Sequence, residues 1–346
     1  MKPYKTTAFR NFLLMAVFFL NTSCNKRPAE NQSSPTAELI QPSALPSWDS
    51  IPGERILNWV KQVTDSASAD FIPVEDRIAV FDNDGTLWPE QPVPNQLIFA
   101  IDLLKTRAPE HPEWQKDKLL NSVLNNDLSL LKSSGVSGLI KLVNASHGNI
   151  SESDFNRSAR NWIDTARDSR FNYLYKEMAY VPMIELLEHL RRNGFTTFIV
   201  SGGGADFMRV WSMEAYGIPS YQVIGSYGDL KFQLTNGRAE IIKTDGNIYV
   251  DDKAGKPVAI HRFIGKIPVF CGGNSDGDQA MMEYTSSNKY KTMCMLLHHT
   301  DSIREYAYDI NTLSGHLETA LEEAKTSGWL VVDMEKDFKK IFKPEK

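Results

Sequence analysis

The stretch Ile78-Ala-Val-Phe-Asp82-Asn-Asp84-Gly-Thr-Leu-Trp88 sets four apolar residues directly before two carboxylates separated by one position, with a glycine turn after them. Side chains along an extended strand alternate between faces, so Asp82 and Asp84 can share a side where the strand ends. Two acids in one small cavity can divide a reaction between them. One, left ionised, attacks an electrophile such as phosphorus; the other gives a proton to the leaving group and later takes one from water. Two carboxylates repel an anionic phosphate unless a cation lies between them, and hard oxygen ligands suit Mg²⁺. An Asp-x-Asp-Gly turn also occurs in calcium loops. Such loops continue as a series of acids ending in glutamate, whereas Thr86, Leu87, Trp88 and Pro89 follow here.

A second β-branched run, Thr196-Thr-Phe-Ile-Val200, opens into Ser201-Gly202-Gly203-Gly204, with a helix expected from about Ala205. A hydroxyl and free backbone N–H groups at a strand-to-helix turn make a phosphate cradle, because a helix N-terminus carries unpaired donors and partial positive charge. Further on, Lys256 precedes Pro257 and the apolar positions Val258, Ile260 and Phe263, which read as a helix start. A last apolar run, Ile267-Pro-Val-Phe-Cys271, leads into Gly-Gly-Asn274-Ser-Asp276-Gly-Asp278.

Taken in order, these four segments resemble the motifs of the haloacid dehalogenase (HAD) superfamily of phosphatases and phosphotransferases, in particular its phosphoserine phosphatase-like members. The resemblance implies an α/β fold: a Rossmann-like core with a mainly parallel sheet flanked by helices, plus an inserted α-helical cap of the C1 type. It implies that Asp82 is the nucleophile and that Asp84 is the general acid and base. Ser201, Gly202 and Lys256 would then bind phosphate, and Lys253 is a rival for the lysine position. Mg²⁺ would be held by the Asp82 carboxylate, the Asp84 backbone carbonyl and Asn274, with Asp278 acting directly or through water. One departure stands out. Asn274 occupies a position where the superfamily usually has aspartate, which removes a negative charge from the implied metal site; Asp276 competes for the same role. The implied activity is Mg²⁺-dependent hydrolysis of a small phosphate monoester through an aspartyl-phosphate. A phosphotransferase or mutase, or a non-catalytic ligand-binding lipoprotein, are the alternatives.

Ligands of open α/β sheets bind outside the carboxyl ends of the strands, so the core is expected over residues 49–88 and 181–346. It begins with a helix carrying Ile56, Leu57, Val60 and Val63 at helical spacing. Residues 89–180, with Leu97, Ile101 and Leu104 at spacings of three and four, read as the helical cap. Trp88 and Glu90 are expected to line the site entrance, where an acid can receive an amino or choline cation. Asn236-Gly237 between two alternating runs is a hairpin signal. His298-His299-Thr300-Asp301 reads as a polar loop, since adjacent residues on a strand point apart.

The chain of 346 residues is 42% hydrophobic and 23% charged with a net charge of −5, ordinary globular material whose acidic balance disfavours a nucleic-acid polymer as partner. Lys2, Lys5 and Arg10 precede the apolar run Phe12–Leu20, too short to span a bilayer, and Asn21-Thr-Ser-Cys24 follows. Residues 1–24 therefore read as an export signal ending at a lipobox-like Cys24, and the proline-rich residues 25–48 as a flexible tether. The protein is expected on the periplasmic side of a bacterial membrane, held by a lipid anchor. Cys271 and Cys294, each in an apolar run, read as buried thiols.

Overall fold

Four strands at the centre carry the segments that matter. β1 (Ile78–Phe81) is hydrogen-bonded in parallel to β3 (Thr196–Gly204) on one side and to β6 (Phe270–Gly273) on the other. β3 is followed outward by β4 (Val223–Thr235), again in parallel. On the far side, β7 (Met293–His298) and β8 (Leu330–Asp333) continue the parallel array. The antiparallel strands β5 (Arg238–Tyr249) and β2 (Ile150–Ser151) complete the order β2-β5-β4-β3-β1-β6-β7-β8. This computed structural model describes residues 44–345 other than 313.

Alternation along the strands explains why the sheet is covered on both faces. Ala79 and Phe81 enter the larger core with the helices Ser50–Thr64 and Val181–Arg192, while Ile78 and Val80 face the opposite core with Ile260 and Met281. Cys271 and Cys294 are register partners on β6 and β7, both buried and both free thiols.

The helix Ser50–Thr64 begins where the Asp49 side chain accepts from the Ile51 N–H, and it buries the expected Ile56, Val60 and Val63. Two of the last residues of the segment expected as a tether are packed against the folded part. Leu45 and Trp48 are buried, the Trp48 indole packs edge-on against Phe338 at 4.9 Å, and its Nε1 donates to the Pro182 carbonyl at 2.8 Å. Proline-rich composition did not reveal that one indole anchors this segment. The expected export signal and Cys24 lie outside the described residues.

Between β1 and β3 the helices Asn95–Arg107, Lys118–Leu124, Ser129–His147 and Glu152–Thr165 form the insertion. Leu97, Ile101 and Leu104 lie in a small apolar cluster of their own with Trp114, Leu120 and Leu142. The insertion is not purely helical. β2 belongs to it and pairs with β5, so the hairpin reaching out from β4 is hydrogen-bonded to the insertion. The hairpin turn is a two-residue connection with Asn236 at φ 52° and Gly237 at φ 78°, both left-handed as a type I′ turn requires.

Candidate active site

Asp82, Ser201 and Asn274 all lie at the carboxyl ends of adjacent central strands, so three loops distant in sequence converge on one point. Asp82 follows β1, and its N–H still donates to the Gly272 carbonyl, which holds the residue in line with the sheet. The next residues fold back as a tight loop. The N–H groups of Thr86 and Leu87 donate to the Asn83 carbonyl, and the Gly85 N–H donates to Trp88. Gly85, at φ 78°, could not carry a side chain: a Cβ there would lie 2.2 Å from both Asn274 Nδ2 and Glu90 Oε1.

Lys256, the second residue of the helix Gly255–Phe263, reaches the site from below. Its Nζ is 2.8 Å from Asp82 Oδ1 and 2.6 Å from Asp278 Oδ1, with all three residues buried. Burial alone would depress the ammonium's pKa, but the Asp278 and Asp82 carboxylates outweigh it and hold the group above the ordinary lysine range. The rival Lys253 is a left-handed loop residue at φ 51° and is exposed. Burial raises the Asp82 pKa; Lys256 opposes this, and Asp278 and Asp84 add to it.

Asp84 is held from one side. Trp88 Nε1 donates to its Oδ1 at 2.6 Å, and Asn83 Nδ2 donates to the same oxygen at 3.3 Å. Asn83 is itself fixed by the Tyr216 hydroxyl, which donates to its Oδ1 at 3.0 Å. With both donors on Oδ1, a proton on this carboxyl resides on Oδ2, the oxygen that lies against Gly203. Burial raises the Asp84 pKa, while the Trp88 N–H works in the opposite sense.

The expected phosphate cradle takes a different form. Ser201 is buried and its Oγ accepts from the Gly203 N–H at 3.1 Å, while the Gly204 N–H donates at 2.6 Å to Gln96 of the first cap helix. Gly202 is exposed at the mouth of the loop. The helix that begins at Ala205 is only five residues long, Ala205–Arg209, so its dipole contributes little. Gln96, which bridges cap and core beside Asp84, gave no signal in the sequence.

The acidic loop after β6 commits its polar side chains to partners within the protein. Asp278 does not present itself as a direct metal ligand: Oδ1 is taken by Lys256, and Oδ2 accepts from the N–H groups of Asn274 and Ser275 at 2.9 and 3.1 Å. Asp276 Oδ1 instead accepts from the Glu318 and Ala320 N–H groups, capping the helix Thr319–Ser327. Asn274 is held at both ends of its amide. Its Oδ1 accepts from the Thr86 hydroxyl at 2.9 Å, and its Nδ2 donates to Glu90 Oε1 at 2.7 Å.

Trp88 and Glu90 do not line an entrance. Trp88 is 0% exposed, packed at 4.4 Å from Trp211, and lies beneath Asp84. Glu90 is 4% exposed and accepts from the Tyr308 hydroxyl at 2.8 Å as well as from Asn274, so it is not free to receive a substrate cation. Burial pushes its carboxyl up to about 8, with Asp84 and Asp82 adding to the shift and the Tyr308 and Asn274 bonds opposing it. His299 is likewise more than a polar loop residue. It is buried, its Nε2 donates to the Gly85 carbonyl at 2.6 Å, and Nδ1 is 3.1 Å from Glu305 Oε2. His299 follows directly on β7, which ends at His298, and the Gly85 carbonyl it meets belongs to the loop after β1.

Among the described residues, no three His, Cys, Asp or Glu side chains are grouped so as to hold a metal by themselves. The donors that the family resemblance implies are all oxygens: the Asp82 carboxylate, the Asp84 backbone carbonyl and the Asn274 amide. Asp82 Oδ1 is buried and receives no directed hydrogen bond, despite the nearby Lys256 ammonium. A set made only of oxygens, one carboxylate with a backbone carbonyl and an amide, suits Mg²⁺, which keeps several waters and needs few protein ligands.

Comparison with known structures finds similar folds at low identity. A protein of unknown function from Anaerococcus prevotii is 14% identical with a TM-score of 0.48, over 74% of this chain and 88% of that one. A phosphoserine phosphohydrolase-like protein from Francisella tularensis is 16% identical with a TM-score of 0.35, over 72% and 98%. Phosphoserine phosphatase from T. onnurineus is 16% identical with a TM-score of 0.30, over 77% and 100%. A search of curated protein sequences gave no match. The model of the haloacid dehalogenase-like hydrolases matches residues 79–283, a span that opens on β1 with its paired aspartates and closes just past the acidic loop after β6. More than half of the sequence is thus accounted for by one family, and the chain belongs to the haloacid dehalogenase-like hydrolases.

Proposed function

We propose that this hydrolase is a phosphatase acting on a small phosphate monoester, with Asp82 as nucleophile. The observation that carries the reading is the contact of Lys256 with both Asp82 and Asp278, beside a second carboxyl whose proton-bearing oxygen faces the Ser201 loop. Asp82 attacks phosphorus and the P–O bond to the alcohol breaks, leaving an aspartyl-phosphate. Asp84 Oδ2 gives its proton to the departing oxygen; in the second half-reaction it takes one from the water that attacks the intermediate. Its raised pKa suits the acid role. Lys256 and the Ser201-Gly202 turn stabilise the charge of the transferring group. Asp82, the Asp84 carbonyl and Asn274 would hold Mg²⁺, and its charge would offset the repulsion between the carboxylates and an anionic phosphate.

Purified protein is to be assayed against a panel of phosphomonoesters, with and without Mg²⁺, beside Asp82→Asn. Metal-dependent phosphate release that disappears in the variant is expected. Release that survives in Asp82→Asn refutes the mechanism, and phosphorylation of an added alcohol in place of free phosphate indicates transfer. Export with lipidation at Cys24 is part of the same proposal; incorporation of labelled palmitate that is lost in Cys24→Ala tests it.

A further inference from the structure

The first cap helix, Asn95–Arg107, starts from a fixed point: the Asn95 side chain is buried, and its Nδ2 donates to the Pro89 carbonyl at 2.8 Å. The next side chain, Gln96, lies against the glycines that follow Ser201. A Cβ on Gly203 would lie 3.0 Å from Asp84 Oδ2, 3.2 Å from Gln96 Oε1 and 3.4 Å from Ser201 Oγ, so these three side chains surround one point. The Gly204 N–H donates to Gln96 Oε1 at 2.6 Å, and only the oxygen end of an amide accepts, which fixes the way this amide faces. The other end packs so closely on Gly204 that a Cβ there would lie 2.4 Å from Nε2. Nε2 donates to none of the described residues, and Gln96 is half-buried, so a held and accessible N–H donor stands beside Asp84.

We propose that Gln96 is a specificity residue for the leaving group: its Nε2 donates to an oxygen on the carbon next to the one that bears the phosphate, and so selects polyol-like phosphate monoesters over alkyl ones. The inference rests on the phosphatase reading above. In that reading Asp84 Oδ2 meets the ester oxygen, so a donor beside it meets the atoms attached to that oxygen. An amide NH₂ offers only hydrogens and is matched by an acceptor, not by an ammonium group. A carboxylate there would add an anion next to the phosphate, and the amide carries no charge to offset it. A neutral hydroxyl or ether oxygen is the partner that fits.

The test compares kcat/KM for methoxyethyl phosphate, whose ether oxygen lies on that carbon, with butyl phosphate, which has a methylene in its place. Both are measured with Mg²⁺ in wild type and in Gln96→Met, with melting curves of each chain. Wild type is expected to prefer the ether by about 3- to 10-fold, the worth of one hydrogen bond, and Gln96→Met to lose the preference. A merely structural role for Gln96 lowers both rates together and leaves the ratio unchanged, which overturns the inference. Equal kcat/KM for the two esters in wild type overturns it whatever the variant does. Should Gln96→Met not fold, Gln96→Asn, which draws the amide back by one methylene, must lose the preference as well; a preference kept there overturns the inference. Release from other phosphomonoesters but from neither of this pair overturns the inference alone, whereas no release from any phosphomonoester overturns the phosphatase reading and this inference with it.

Discussion

His147 should make the cap sensitive to acid, and replacing it with leucine should remove that sensitivity. It is the last residue of the helix Ser129–His147, with its ring 4.9 Å from Phe155 and 5.6 Å from Phe99. Nδ1 is 2.7 Å from Ser146 Oγ, whereas Nε2 is buried without a hydrogen-bond partner. A cationic ring at a helix C-terminus is normally favoured, but burial dominates here and, with Lys243 and Arg107 nearby, depresses the pKa to about 3. An unfolded histidine titrates near 6.5. Between these values the unfolded chain binds a proton that the folded chain does not, so stability is complete above the unfolded value and falls as pH drops through the window. Linkage gives a loss of about 2 kcal/mol at pH 5 relative to pH 7.5. Urea unfolding of wild type and His147→Leu at both pH values isolates this amount, because the other titrating groups are common to the two chains. Wild type should lose about 2 kcal/mol more than the variant. Equal losses would refute the argument.

Lys256→Met leaves Asp82 and Asp278 buried without their cation and should destabilise the fold by about 3–5 kcal/mol; a cost below about 1 kcal/mol in urea unfolding would mean that the charges are better solvated than their burial indicates. Trp88→Phe removes the N–H that lowers the Asp84 pKa, so Asp84, the proposed general acid, stays protonated to higher pH. The alkaline limb of the pH–rate profile should move upward, and a limb that stays or moves down contradicts the assigned role of Trp88.

The apolar runs ending in Asp82, Ser201 and Asn274 were legible in the sequence because strand, turn and acid are local properties of a few consecutive residues. The hairpin at Asn236-Gly237 was legible for the same reason, since the turn demands residues that tolerate positive φ. Helical periodicity likewise marked the insertion, though not β2, whose two residues are too few to show a period. Which lysine lies against Asp82 was only half legible: Lys253 and Lys256 differ by three positions, and the helix beginning at Gly255 buries the second while the first stays exposed.

What the chain's order could not convey is which polar side chains meet. Asn274 and Glu90 are 184 residues apart, Gln96 and Gly204 108, and His299 and Gly85 214. Glu90 and Trp88 read as entrance residues because they follow Asp84 closely, but the tight loop through Gly85 turns both inward, Trp88 into the aromatic core and Glu90 onto an amide brought in by β6. Sequence alone determined the strands, the paired acids and the family, because these depend on local pattern. Only the tertiary structure decided how the charges are shared around the site, because electrostatic partners are set by distance in space.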